Sequence, residues 1–340
     1  MEKRRIYISL LAVVAIIGLL VFLPSRREVA KDIYQHNEGT IFGTLYHAKY
    51  LCNKDLKAEI EAELQKVDAS LSMFNPKSTI SRINKGETDE ADEMLNEVLA
   101  LSFAINQATD GAFDPTVAPL VNAWGFGFKS GQLHDSSQVD SLLALVGLSH
   151  IHLQDGKVAK DNPLSILDFS AIAKGYGVDR AAEVLRRHDI QNFMVEIGGE
   201  VVTQGINEKG EPWRIGINKP DDDSTSTNTE LQDIITLSGK AIATSGNYRN
   251  YYIHDGRKIA HTINPRTGYP AQQDILSSTV MAPTCAEADA FATAFMVLGL
   301  EQAKQVLQKQ PQLEAYFIYS DEQGRYQIWC TEGLEALRVK

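Results

Sequence analysis

Asp289 and Thr293 stand four residues apart in the Ala-rich stretch CAEADAFAT (285–293). On a helix, that spacing stacks two side chains on one face, one turn apart, so a carboxylate and a hydroxyl can turn two oxygens towards one hard cation. Mg²⁺ accepts such sparse protein ligation and completes its octahedron with phosphates and water. In LDFSAIAKGYGVD (167–179), a strand ending at Asp168 runs into a Gly-rich turn, and Lys174 sits between Ala173 and Gly175. An ammonium there can lie beside phosphate oxygens as a point charge. His261 closes an apolar strand before the Pro/Gly turn of HTINPRTGYP (261–270). An imidazole titrates near neutrality, which suits a general base that must activate a weak hydroxyl nucleophile. Metal, phosphate and base chemistry together describe attack of an alcohol on a diphosphate, a reaction that needs charge neutralisation, an activated hydroxyl and fixed geometry. Each residue alone also has a structural reading: an exposed helix carboxylate, a helix-face Thr, a solvated Lys, a structural His.

These groups need elements to hold them. Apolar residues recur at helical spacing over 54–71, 92–107 and 178–188, and 284–309 reads as one long Ala-rich helix or two broken near Gly299. Short β-rich runs predict strands at 41–50, 164–169, 193–197, 213–218, 234–238, 258–263, 276–281, 314–319 and 326–330. Helices and strands are interspersed without strict βαβ alternation, which predicts an α+β fold with mixed or antiparallel sheets and flanking helices. The stretch 221–229 (DDDSTSTNT) reads as a solvated surface loop.

The chain has 340 residues, 44% of them hydrophobic and 23% charged, an ordinary globular composition. Its net charge is −11, and residues 1–28 hold five basic and two acidic residues, leaving −14 on the rest. That acidity excludes broad nucleic-acid binding, which needs a cationic surface. Three cysteines without a CxxC exclude a cysteine-based structural zinc site and a disulfide-stapled miniature fold. Lys3, Arg4 and Arg5 precede an uncharged run from Ile6 to Leu23, followed by Arg26 and Arg27. Eighteen helical residues span about 27 Å, close to the hydrocarbon core of a bilayer. Residues 1–28 are therefore expected to be a membrane anchor or signal segment, and the poor cleavage site around Ser25 favours a retained anchor.

Five further observations act together. GAFDPTVAPLVNAWGFG (111–127), LDFSAIAKGYGVD, VEIGGE (195–200), ATSGNYR (243–249) with HTINPRTGYP, and CAEADAFAT follow one another in a fixed order. In these motifs and their order the chain resembles the ApbE family, the FAD:protein FMN transferases, from about residue 40 to 330. The resemblance implies one large ApbE-like, T-fold-related domain over 40–335 behind the anchor. It implies binding of FAD as substrate together with Mg²⁺, cleavage of the diphosphate, and transfer of FMN through a phosphoester to a Thr (or Ser) of a target redox protein, with release of AMP. Some members hydrolyse FAD to FMN and AMP instead, and an FAD pyrophosphatase is the alternative reading. A non-catalytic flavin-binding module is disfavoured by the presence of Asp289, Thr293 and His261.

Residue by residue, the resemblance assigns the metal to Asp289, Thr293 and the carbonyl of Ala171, and the base to His261. It assigns FAD contacts to Phe74, Ala112, Phe113, Asp114, Asp168, Lys174, Glu196 and Ile263. The acceptor is expected to be a subunit of a membrane redox complex with a Thr in a short DGAT-like motif. The expected location is the bacterial cytoplasmic (inner) membrane, with the catalytic domain on the extracytoplasmic, periplasmic side. Three positions depart from the family's usual pattern: Phe42 replaces a Met, Phe74 a Tyr, and Asn264 an Asp.

Overall fold

Two-residue turns and alternating burial build the sheet that carries everything else. The computed structural model describes residues 33–127, 136–220, 230–247, 251–254 and 257–339. Strands β1 (Ile33–Ile41) and β2 (Thr44–Cys52) are joined by Phe42 and Gly43 at φ 51° and 75°. Left-handed backbone at both turn positions matches the twist of the flanking strands. The predicted strand at 41–50 is thus the second arm of a hairpin. Helices α1 (Lys57–Leu71), α2 (Thr79–Lys85), α3 (Glu93–Ala108), α4 (Ala118–Ala123) and α5 (Ser136–Leu143) follow, then the hairpin β3 (Ile151–Gln154) and β4 (Lys157–Lys160). Next come α6 (Ala173–Arg187), β5 (Phe193–Ile197), β6 (Glu200–Gln204), β7 (Trp213–Asn218), β8 (Leu231–Leu237), β9 (Ala241–Gly246), β10 (Tyr251–His254) and β11 (Arg257–Ala260). The chain closes with β12 (Ile275–Ala282), α7 (Cys285–Leu298), α8 (Leu300–Lys309), β13 (Glu314–Ser320), β14 (Tyr326–Cys330) and α9 (Glu332–Glu335).

The fold is α+β. Eight strands form one sheet in the order β1-β2-β5-β6-β9-β12-β13-β14, and the pairings from β2 through β14 are all antiparallel. Helices pack on one face over a large apolar core that includes Phe169, Phe291, Phe295 and Phe317. The opposite face is covered by a smaller cluster in which Ile217, Ile235 and Leu237 of the β7–β8 hairpin meet Ile242 and Ile318 of the sheet. The compact unit runs from Tyr34 to Lys340, and Cys52, Cys285 and Cys330 are all free thiols. Among the described residues no helix is long and apolar enough to cross a membrane. The expected anchor at 1–28 and the loop at 221–229 lie outside the described residues.

Helix α7 is the centre of the packing. Twelve of its residues are buried, from Cys285 to Leu298. Alanines at 286, 288, 290, 292 and 294 keep much of its surface small, while Phe291 and Phe295 fill the core, so sheet and helices can close around it. Thr284 starts it with a capping box: its hydroxyl accepts the Glu287 amide at 3.3 Å, and the Glu287 carboxylate accepts the Thr284 amide at 3.3 Å. Asp179, reaching across from α6, accepts the amides of Cys285 and Ala286 at 2.9 Å each. Gly299, at φ 76°, breaks the apolar run of 284–309 into α7 and α8.

Two elements differ from their sequence reading. Helix α6 begins at Ala173, five residues before the predicted 178, because Gly175 and Gly177 are helical here. A Cβ at position 175 would lie 2.3 Å from the carbonyl oxygen of Cys285, so only glycine lets α6 and α7 approach this closely. The predicted strand at 164–169 forms no strand and joins no sheet. Its peptides are paired instead with the side chain of Asn84 and the carbonyl of Pro115.

Two outcomes follow. Gly175→Ala forces backbone against backbone and should destabilise the fold by about 1–3 kcal/mol in urea unfolding. Burial pushes the Asp179 carboxyl up to about 6, against the two amides it accepts. Because its folded value lies above its unfolded one, the folded state holds the extra proton between about pH 4 and 6, and stability falls as pH rises through that window. Asp179→Asn should flatten that part of a pH series of unfolding curves, and an unchanged slope would contradict the assignment.

Candidate active site

The hairpin β5–β6 turns through Gly198 and Gly199, with Ile197 paired directly to Glu200. Alternation along β5 buries Phe193, Val195 and Ile197 against the helices. Glu196 therefore projects with Met194 to the other face. There its Oε1 accepts the Gly199 amide at 2.6 Å, and His47 lies 3.9 Å from its Oε2. Glu200, opposite Ile197, faces the helices and binds Lys174 Nζ at 2.6 Å. VEIGGE thus contributes its second glutamate to the cavity, and Glu196 braces the turn. The signal was present in the sequence, as a two-residue Gly-Gly turn between alternating strands.

On the helix face, α7 lies against β9 and β12. Asp289, buried, accepts the Gly175 amide on Oδ2 at 3.1 Å, and Thr293 Oγ1 is 3.0 Å from Ser245 Oγ on β9. In an α-helix continued back by one residue, the Gly175 amide would point at the carbonyl of Ala171. Its diversion to Asp289 leaves that carbonyl without its helical partner, at the wall of the same cavity. The cavity has a volume of about 400 Å³.

Three further segments close it. The AFD turn contributes Ala112, Phe113 and Asp114. Asp114 is held by its own turn and by a distant segment, accepting Thr116 N and Oγ1 at 2.8 and 2.5 Å and, from 34 residues away, Leu148 N at 2.9 Å. Asp168 accepts the amide and hydroxyl of Ser170 at 2.9 and 2.5 Å. His261 and Ile263 line the opposite wall, with the His261 ring edge-on to Phe126 at 6.4 Å between centroids. The loop beyond is held by Asn264, whose Oδ1 accepts the Arg266 amide at 2.9 Å and whose carbonyl accepts the Gly268 amide at 2.8 Å. The neutral amide at 264 thus serves as a turn former, a task that an Asp would perform equally.

A second cavity of about 150 Å³ adjoins the first, with Ser170 and Lys174 in the wall of both. Phe42, Met73 and Phe74 line it, and Phe74 is 76% exposed. Ten of the twelve residues singled out in the sequence therefore line the large cavity, Phe74 lines its neighbour, and Glu196 lines neither.

Burial alone would lower the Lys174 ammonium, but Asp289 and Glu200 outweigh it and push its pKa up to about 12. The two acidic neighbours thus favour the ammonium form of Lys174. Burial raises Asp289, with Lys174 opposing, and raises Glu200, with the negative charge of Asp289 adding to it. Burial also raises Asp114 and Asp168. Among the described residues Glu200 Oε2 is buried without a hydrogen-bond partner.

Among the described residues no three His, Cys, Asp or Glu side chains are grouped to hold a metal ion. The donors that the sequence reading assigned to a metal, the Asp289 carboxylate, the Thr293 hydroxyl and the Ala171 carbonyl, all belong to residues lining the one cavity. This all-oxygen, ligand-poor set fits Mg²⁺, which keeps waters and takes substrate phosphates, and not zinc, which prefers nitrogen and sulfur.

The ApbE family model matches residues 42–317. The chain is 37% identical over 298 residues to the FAD:protein FMN transferase of Vibrio cholerae, covering 84% of this chain and 87% of that one. It is 34% identical over 316 residues to the enzyme of the same name from Escherichia coli K12, covering 89% and 88%. Among solved structures, the flavin transferase ApbE from Vibrio cholerae superposes with a TM-score of 0.80 at 33% identity, over 90% of this chain and 99% of that one. The apo form of the Pseudomonas stutzeri flavinyl transferase ApbE also gives 0.80, at 31% identity over 91% and 98%. Sequence span, fold and the ordered motifs now gathered round one cavity agree: the chain belongs to the ApbE family.

Proposed function

We propose that the protein is a Mg²⁺-dependent FAD:protein FMN transferase. The observation that carries this reading is the cavity itself. It gathers a hard-cation donor set, an ammonium and an imidazole from segments spread over more than 100 residues of sequence. The names of the relatives at 34–38% identity support the same activity.

In this reading FAD lies with its diphosphate beside Asp289, Thr293 and Lys174. Asp289, Thr293 and the Ala171 carbonyl would hold Mg²⁺, which neutralises charge on the diphosphate. The acceptor's Thr or Ser hydroxyl attacks the phosphorus on the FMN side. Its proton passes to an imidazole nitrogen of His261 as the new phosphoester forms, the P–O bond to the AMP half breaks, and AMP departs. Lys174, held by Glu200, offsets the negative charge that grows on the leaving phosphate.

The acceptor is a redox-complex subunit that presents its Thr in a short exposed DGAT-like motif. The uncharged run of residues 6–23 supports an inner-membrane anchor, and in this reading the catalytic domain lies on the periplasmic side.

Purified protein mixed with FAD, Mg²⁺ and such an acceptor should add the mass of one FMN to the acceptor, read by mass spectrometry. FMN released without labelling would identify a pyrophosphatase instead. Asp289→Ala should abolish both outcomes. Saturating Mg²⁺ should raise the thermal midpoint of the parent and not of that variant, because only a native state that binds the ion is stabilised by it. His261→Ala should keep FAD affinity, followed by flavin fluorescence, while labelling falls by roughly 100-fold or more. Labelling at the parent rate would remove His261 as the base.

A further inference from the structure

The Ser-x-x-Ser-x-x-Asn segment has so far no part in the chemistry, yet its three polar side chains converge on the backbone of both cavities. Ser78, Ser81 and Asn84 lie at i, i+3 and i+6 along α2 and its cap, and so share one side of it. Ser78 Oγ donates to the carbonyl of Ser72 at 2.7 Å, and Ser81 Oγ donates to the same oxygen at 3.3 Å. That carbonyl immediately precedes Met73 and Phe74 in the wall of the smaller cavity.

Asn84 does more. Its Nδ2 donates to the carbonyl of Leu167 at 2.7 Å, and its Oδ1 accepts the amide of Leu167 at 2.9 Å. One side-chain amide thus replaces a neighbouring strand for a residue 83 positions away. The next amide, of Asp168, donates to Pro115 at 2.7 Å, beside the AFD turn. Leu167 and Phe169 are fully buried on either side, so the peptide frame that aims Asp168 into the cavity is clamped at each point. The 3.2 Å contact of Asn84 Nδ2 with Met73 Sδ ties the same side chain to the lip of the smaller cavity.

We propose that Asn84 is a positioning residue for FAD. It holds Asp168 in the large cavity and the Met73–Phe74 lip in the small one at a set separation, so that one dinucleotide can engage both. No other side chain type of this size offers a donor and an acceptor to a single peptide. The inference rests on the FAD reading above, and its test separates the two.

FAD affinity is measured by flavin fluorescence for the parent, Asn84→Ala, Asn84→Asp, Asp168→Asn and the Asn84→Ala/Asp168→Asn double variant, with circular dichroism on each. Asn84→Asp keeps the acceptor for the Leu167 amide and sets a carboxylate oxygen against the Leu167 carbonyl, so it probes the clamp without removing bulk. Both Asn84 variants should bind FAD roughly tenfold or more weakly. In the Asp168→Asn background the further loss from Asn84→Ala should shrink to about threefold or less, since a residue that acts through Asp168 has little left to position. Parent-like affinity in a folded Asn84 variant, or losses that simply multiply in the double variant, would overturn the proposal. A parent protein that does not bind FAD would overturn this proposal and the functional reading together.

Discussion

The amide of Gly175 gives its hydrogen bond to Asp289, and most of the site depends on that one contact. It requires α6 and α7 to approach so closely that no Cβ fits between Gly175 and the Cys285 carbonyl. It also spares the Ala171 carbonyl and orients the buried carboxylate that α7 offers to the cavity. A carboxylate removed from water is costly unless it is paired. Here an amide, the Lys174 ammonium and the proposed cation share that work, and the capping of α7 by Thr284 and Asp179 holds the helix where they can do it.

Lys174 is the pivot between the two cavities, since it lines both and is fixed by Glu200 rather than left to solvent. Its charge is favoured by two acidic side chains whose own pKa values burial raises and Lys174 opposes. The site is framed by an apolar helix, a bulky sheet core, and turns braced by their own side chains, as at Asn264 and, with the Leu148 amide added, at Asp114.

Much of this was legible in the amino-acid order. The i, i+4 spacing of Asp289 and Thr293 announced a shared helix face, and Gly299 marked the end of α7. Irregular alternation of helices and strands pointed to α+β. Glu200 was legible as well, through the Gly-Gly turn and the period of two, although Glu196 carries the same chemistry and stands in the same motif. The run at 164–169 has strand composition, but its partner is one asparagine side chain, and nothing in a period of two distinguishes a run that finds a sheet from one that does not.

The order of residues determined which side chains can share a helix face or a strand face, where turns fall, and which chemical types are present, because backbone geometry within an element repeats over a few residues. Tertiary packing alone decided that Ser245 stands beside Thr293, that Lys174 meets Glu200, that Asp179 caps a helix 106 positions further on, and that Asn84 completes Leu167. These contacts join segments distant in sequence. They exist only because burial of α7 against the sheet draws those segments together, and no local period encodes that closure.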